Sequence, residues 1–150
     1  MADRCSGHDI VAAARAWLGT PYRHQASCIG AGADCLGLVR GVWRDICGSE
    51  PQPIPAYTPD WAEATGEERL LDAAHLHMSR VSNGEAQAGD LLLFRMVARG
   101  PAKHVAILTS DRIESGRIIH AYSGHAVCET RLTAPWLRRQ AGAFRFPWVA

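Results

Sequence analysis

Asp34-Cys35-Leu36-Gly37-Leu38-Val39 is the stretch whose reading decides the fold. Asp34 is a residue type that caps helices, and Leu36, Val39, Trp43 and Ile46 follow it at helical spacing until Gly48. The spacing predicts a helix capped by Asp34 and running to about Ile46, with one face in the core and Cys35 in its first turn. A thiol in that position feels the positive end of the helix dipole, which favours thiolate over thiol. Much later comes Lys103-His104-Val105-Ala106-Ile107-Leu108, an apolar strand led by a histidine. A thiolate with an imidazole in reach is the minimum equipment for nucleophilic attack on a carbonyl.

On the N-terminal side, Ile10, Val11, Ala14, Trp17 and Leu18 share a helical face. They predict a helix from about Asp9 to Leu18, capped by Asp9 and ended by Gly19 in the left-handed conformation. Thr20-Pro21-Tyr22 leads into a loop of small residues, Ala26 to Ala33, without periodicity. On the C-terminal side, Pro51, Pro53 and Pro55 require extended chain. Thr58-Pro59-Asp60 then reads as a helix start, and Thr65 with Glu68 as a capping box. Residues from about 51 to 78 therefore read as a helical insertion.

From Gly89-Asp90 onward the period becomes two. Leu91–Phe94, Val105–Leu108, Arg117–Tyr122, Ala126–Cys128 and Ala143–Phe146 read as strands, and Trp136 sits in a short helical turn begun by Thr133 and Pro135. Helices first and an antiparallel sheet afterwards predict an α+β fold, organised as a single domain over residues 1–150.

A chain of 150 residues with 47% hydrophobic and 21% charged content is an ordinary globular domain. Its formal charge of +1 gives no reason to expect nucleic acid as a partner. No apolar run has the length of a membrane span, and none stands behind a basic leader, so membrane insertion is not expected. The start Met1-Ala2-Asp3-Arg4 reads as cytoplasmic synthesis without a signal peptide. Five cysteines, Cys5, Cys28, Cys35, Cys47 and Cys128, are an odd number and do not form a disulfide framework. His24, Cys28 and Cys35 lie near one another in sequence, but no paired C-x-x-C accompanies them, so no metal is expected.

Five segments in order resemble the motifs of the NlpC/P60 cysteine peptidases, papain-like enzymes that cut peptidoglycan stem peptides. They are Gly19-Thr20-Pro21-Tyr22, Asp34 to Val39, Ala88-Gly89-Asp90-Leu91 with Phe94, His104-Val105-Ala106-Ile107, and Ile119-His120-Ala121. The resemblance spans about Ile10 to Leu132. It implies a papain-like α+β fold with the nucleophile helix packed on an antiparallel sheet, and no cofactor. Residue by residue it implies Cys35 as nucleophile, His104 as general base, and His120 as the group that orients the His104 ring. Tyr22, His24, Asp34 and Ser123 fall on the substrate side. The implied reaction is hydrolysis of a stem-peptide amide, with the γ-D-glutamyl to diamino-acid bond expected.

Leu36 stands where the family has Ser, His24-Gln25 where many members have a Gly pair, and Ala88 where Pro is usual. The loop Tyr22 to Ser27, the run Gly41-Val42-Trp43-Arg44 and the Pro-rich stretch after it resemble a branch found among tail genes of bacteriophages and gene transfer agents. That implies tail or baseplate proteins of a phage-like particle as partners, with action on the periplasmic cell wall during DNA entry. Other readings stand beside these. Cys35 as a buried structural thiol and His104 as a satisfied core histidine are the plain ones. Asp34 reads more as a helix cap than as a catalytic acid, His24 equally as a loop residue and a substrate contact, and His125 lies close enough to His120 to compete for the third position. At the level of function the rivals are a tail structural protein that keeps the fold without needing activity, and an amidase or acyltransferase on the same scaffold.

Overall fold

The computed structural model describes residues 5–51 and 68–149. Helix α1 spans Gly7–Arg15. Its cap is Ser6, whose hydroxyl accepts from the Asp9 N–H while the Asp9 carboxylate accepts from the Ser6 N–H. Asp9 is thus the far arm of a capping box and not the cap, which starts the helix earlier than its apolar pattern suggests. Ile10, Val11 and Ala14 are buried, and Gly19 takes the left-handed conformation at φ +85°.

A short hairpin follows, β1 (Ser27–Cys28) with β2 (Gly32–Ala33), inside the loop that showed no periodicity. Helix α2 runs Cys35–Cys47, with Asp34 as N-cap accepting from the Gly37 N–H at 2.7 Å and Gly48 at φ +83° as C-cap. The helix lies directly on the preceding loop. Gly37 is the residue that permits this, because a Cβ there would stand 1.8 Å from the Ala26 carbonyl oxygen. The Ser27 hydroxyl donates to the Gly37 carbonyl at 2.6 Å and ties the two together.

Of the expected insertion over 51–78, helix α3 (Arg69–His77) is observed. Pro53 and Pro55 of the extended run, the Thr58 helix start and the Thr65 half of the capping box lie outside the described residues. Glu68 does not cap α3 with its side chain; its carboxylate accepts from Arg95 and from the Ala102 N–H.

Strands β3 (Ser79–Val81), β4 (Leu91–Arg95), β5 (Ala102–Leu108), β6 (Arg117–Tyr122), β7 (His125–Arg131) and β8 (Gln140–Arg145) make one antiparallel sheet in the order β3-β8-β4-β5-β6-β7. Edge strand β3 had no counterpart in the sequence pattern. Ahead of β4, Gly89 adopts φ +90° against Gly7 of α1, and buried Asp90 accepts from the Gln87 N–H and pairs with Arg145 at 2.9 Å. The Ala88-Gly89-Asp90 motif is therefore a turn and strand anchor.

Alternation along the strands divides the core. Leu91, Leu93, Val105, Ile107, Ile119 and Phe144 pack with α1, α2 and α3 on one face. Leu92, Phe94, Ala106, Leu108 and Ile118 face the other way, under Ile113, Leu132 and Trp136 of the last short helix, α4 (Ala134–Arg138). Fully buried side chains such as Leu93 and Ile107 contribute about 2 kcal/mol each by leaving water. By strand parity His104 and His120 belong to the second face, whereas Cys35 arrives from the helical one.

Candidate active site

The two faces meet where β5 and β6 part. These strands pair at Ile107–Ile119 and Leu108–Ile118, and beyond them, toward His104, a cleft of about 180 Å³ opens. Cys35 and His104 both line it. In antiparallel pairing the N–H and C=O of alternate residues point to the same side. Lys103 and Val105 therefore aim their backbone groups at the parted neighbour. The Cys35 thiol takes that neighbour's place: Sγ donates to the Lys103 carbonyl at 3.8 Å, and the Val105 N–H points at the sulfur.

Burial pushes the Cys35 thiol up to about 12, and the adjacent Asp34 carboxylate acts in the same direction. The backbone N–H groups of Val105, Leu36 and Cys35 oppose this by favouring the anion. The thiolate expected from the helix dipole is thus not the resting form. The dipole is not missing. Its positive end is already occupied by Asp34, whose oxygens accept from the N–H groups of Gly37 at 2.7 Å and Gln25 at 2.8 Å.

His104 is 5% exposed and His120 3%. His104 Nε2 and His120 Nδ1 are 2.8 Å apart and share one hydrogen. On the far side, His120 Nε2 lies 3.1 Å from Thr130 Oγ1 of β7. Burial lowers His104 to about 3, with a smaller push from His120; burial followed by His125 lowers His120 to about 4. At neutral pH the site holds a neutral thiol and two neutral imidazoles. Trp136 stacks on the His104 ring at 5.0 Å and 26°, with Phe94 set edge-on to Trp136 at 5.1 Å. These rings exclude water from one side of the imidazole pair and fix its plane.

Every site residue named from the sequence is gathered here. Tyr22, His24, Asp34 and Ser123 line the cleft with Cys35 and His104, and His120 stands directly behind His104. Desolvation, then the neighbouring Asp34 and Cys35, raise the Tyr22 hydroxyl, which places that ring beside the nucleophile. Asp34 reaches the cleft, yet its main work is the cap. His24 Nδ1 stands 4.0 Å from the same carboxylate, and Gln25 Nε2 donates to His24 Nε2 at 3.3 Å. The competitor His125 does not replace His120; it stacks on Tyr122 at 5.2 Å.

Sequence reasoning missed Thr130, Tyr122, Lys103 and Met96, and gave Trp136 no place at the site. Tyr122, Lys103 and Met96 also line the cleft. A signal existed for Lys103 and Tyr122, which flank the motif histidines. Among the described residues, no cluster of three His, Cys, Asp or Glu is placed to hold a metal ion, and no helix is long and apolar enough to cross a membrane.

Comparison with known proteins gives this geometry its relatives. The NlpC/P60 family matches residues 19–145. Murein DD-endopeptidase MepH of Escherichia coli K12 is 32% identical over 130 residues, covering 85% of this chain and 41% of that protein. The chain thus spans less than half the length of this curated relative. Among solved structures, an NlpC/P60 family protein of Bacillus cereus ATCC 10987 superposes with a TM-score of 0.68 at 21% identity, over 99% of this chain and 42% of the other. The NlpC/p60 domain of the peptidoglycan hydrolase SagA gives a TM-score of 0.63 at 26% identity, over 95% of this chain and 100% of that domain. A cysteine at a helix start, a histidine pair on the sheet beside it, and a family match running from Gly19 to Arg145 all lead to the same assignment: this α+β chain belongs to the NlpC/P60 family.

Proposed function

We propose that this chain is a cysteine peptidase that hydrolyses an amide of the peptidoglycan stem peptide. The observation that carries the reading is the shared cleft, with Cys35 at the start of α2 and the hydrogen-bonded His104–His120 pair across it. The named relatives, a murein DD-endopeptidase and a peptidoglycan hydrolase, support the substrate class.

The chemistry starts from a neutral thiol. Substrate entry draws Sγ away from the Lys103 carbonyl, and His104 Nδ1 accepts the thiol proton as sulfur bonds to the amide carbon. The Cys35 N–H, unpaired within α2 as a first-turn donor, faces the developing oxyanion, with Tyr22 beside it. His104 then returns the proton to the leaving amine as the C–N bond breaks. Water, deprotonated by the same ring, releases the acyl group from sulfur and restores the thiol.

The bond proposed is the one joining γ-D-glutamyl to the diamino acid. The relative named as a DD-endopeptidase favours a second reading, cleavage between two D-configured residues. The setting proposed is the tail or baseplate of a phage-like particle, supported by the character of the Tyr22–Ser27 loop and the Gly41–Arg44 run.

Mass spectrometry of defined muropeptides, cross-linked and uncross-linked, tests the reading beside Cys35→Ala. Release of a free diamino-acid amine from an uncross-linked stem identifies the γ-D-glutamyl bond. Loss of the cross-linked species alone identifies the DD bond. No product from folded wild-type protein on muropeptides or whole sacculi overturns the peptidase reading. If particles carrying Cys35→Ala deliver DNA as well as the parent, a tail role does not depend on hydrolysis.

A further inference from the structure

Both ring nitrogens of His120 are engaged, one by His104 and the other by Thr130. A neutral imidazole carries one N–H and one lone pair, so this chain of contacts has two self-consistent arrangements. In the first, His104 Nε2–H donates to His120 Nδ1, and His120 Nε2–H donates to the Thr130 hydroxyl oxygen. His104 Nδ1 then keeps its lone pair and can accept a proton. In the second, the Thr130 hydroxyl donates to His120 Nε2, and His120 Nδ1–H donates to His104 Nε2. His104 then carries its hydrogen on Nδ1, where a thiol proton would have to go, and cannot act as a base. The direction of one hydroxyl contact therefore decides whether the imidazole at the cleft is basic.

We propose that Thr130 is a positioning residue of the catalytic pair: its hydroxyl oxygen accepts the His120 Nε2–H and so holds His104 in the tautomer with a free Nδ1. The choice between the two arrangements rests on the peptidase reading above, which needs a lone pair on His104 Nδ1; the contact between His120 and Thr130 does not. The placement is built into the sheet. Cys128 is the cross-strand partner of His120, and Thr130 is two residues further along the same face, opposite Ile118. His120 is closed from water, so no solvent molecule need compete for the contact. The first arrangement also serves the protonated intermediate, because His104 gains its second hydrogen at Nδ1 while the other donors stay as they are. The titratable groups facing the pair are Cys35 from α2, Tyr122 from β6, and His125 and Cys128 from β7; Trp136 of α4 and Phe94 of β4 are neutral.

The test compares wild type, Thr130→Val and Thr130→Ser. Histidine side-chain 15N spectra at pH 7 report which ring nitrogen bears the hydrogen. The proposal expects His120 protonated on Nε2 and His104 on Nε2 in wild type and Thr130→Ser. It expects a mixture of tautomers at both rings in Thr130→Val. With muropeptide substrate, Thr130→Val should lose about tenfold in kcat, the scale of one hydrogen bond, with KM unchanged and Thr130→Ser restoring most of the rate. Unaltered tautomers in Thr130→Val overturn the proposal, as does a wild-type spectrum with His104 protonated on Nδ1. A Thr130→Ser protein as impaired as Thr130→Val also overturns it, because keeping the hydroxyl would then keep none of the rate. If no variant, wild type included, cleaves muropeptides, the peptidase reading fails while the spectra still decide the tautomer.

Discussion

The two walls of the cleft are built on different principles. The helical wall, Asp34 and Cys35 at the start of α2, is set by contacts within about a dozen residues: a cap to Gly37, the Ala26 carbonyl against the missing Cβ of Gly37, and a hydroxyl from Ser27. The sheet wall, His104, His120, Thr130 and Trp136, comes from four separate elements and is held by rings and register. The helical wall surrounds its thiol with charge and donors, whereas the sheet wall keeps two imidazoles dry and neutral. A local device places an atom through the backbone. A long-range device sets protonation through exclusion of water.

The contrast breaks most visibly at Gly37. Gly37→Ala forces a methyl into the Ala26 carbonyl, and urea unfolding should show a loss of about 3 kcal/mol, the upper end of overpacking costs. A loss under 0.5 kcal/mol would mean that the helical wall is not fixed by that contact.

Acid stability probes the sheet wall. His104 and His120 have folded values below their ordinary one of 6.5. As pH falls below about 6.5 the unfolded chain takes up protons that the folded chain refuses, so stability falls toward pH 4 and levels off near the folded values. Each ring contributes at most about 1.4 kcal/mol per pH unit in that window. Denaturation at pH 7, 6, 5 and 4 should show the decline, and His120→Asn should make it shallower. An equal slope in the variant would place the acid sensitivity elsewhere.

The smallest effect concerns the thiol. Because burial and Asp34 hold Cys35 neutral, iodoacetamide at pH 7 should alkylate exposed Cys28 faster than Cys35. The Cys35 rate should climb about tenfold per pH unit between 8 and 10, and Asp34→Asn should raise it several-fold at any pH in that range. Peptide mapping by mass spectrometry reads both sites together. Faster labelling of Cys35 at pH 6 would reveal a thiolate–imidazolium pair instead.

What was legible in the sequence follows the same division. The cap at Asp34, the span of α2, Gly48 as its end and the motif histidines are local patterns, and the chain folds as they say. Family resemblance carried the pairing of Cys35 with His104 and His120 across the sequence. Three things escaped. Desolvation and the neighbouring Asp34 push the Cys35 thiol up, against the thiolate expected from a dipole whose end Asp34 already occupies. Trp136 lies on a five-residue helix too short for periodicity, so nothing in sequence tied it to His104. Thr130 reaches His120 only through a register that shifts between His120 and Tyr122, and no residue pattern announces that shift.

That shift has an electrical meaning. Tyr122 faces His125 across the hairpin, and continuing this pairing without interruption would set His120 against Val127 and bring Glu129 to the face where Thr130 now stands. The bulge moves Glu129 to the helical side, where Arg15 and Arg117 hold its charge and Thr109 donates to it. The imidazole pair is backed by a hydroxyl and not by a carboxylate. One residue of slippage in a hairpin thus separates an uncharged relay from a charged triad. The one extra residue that β7 carries between the Tyr122–His125 and His120–Cys128 pairs keeps the charge of Glu129 off the face of the imidazole pair.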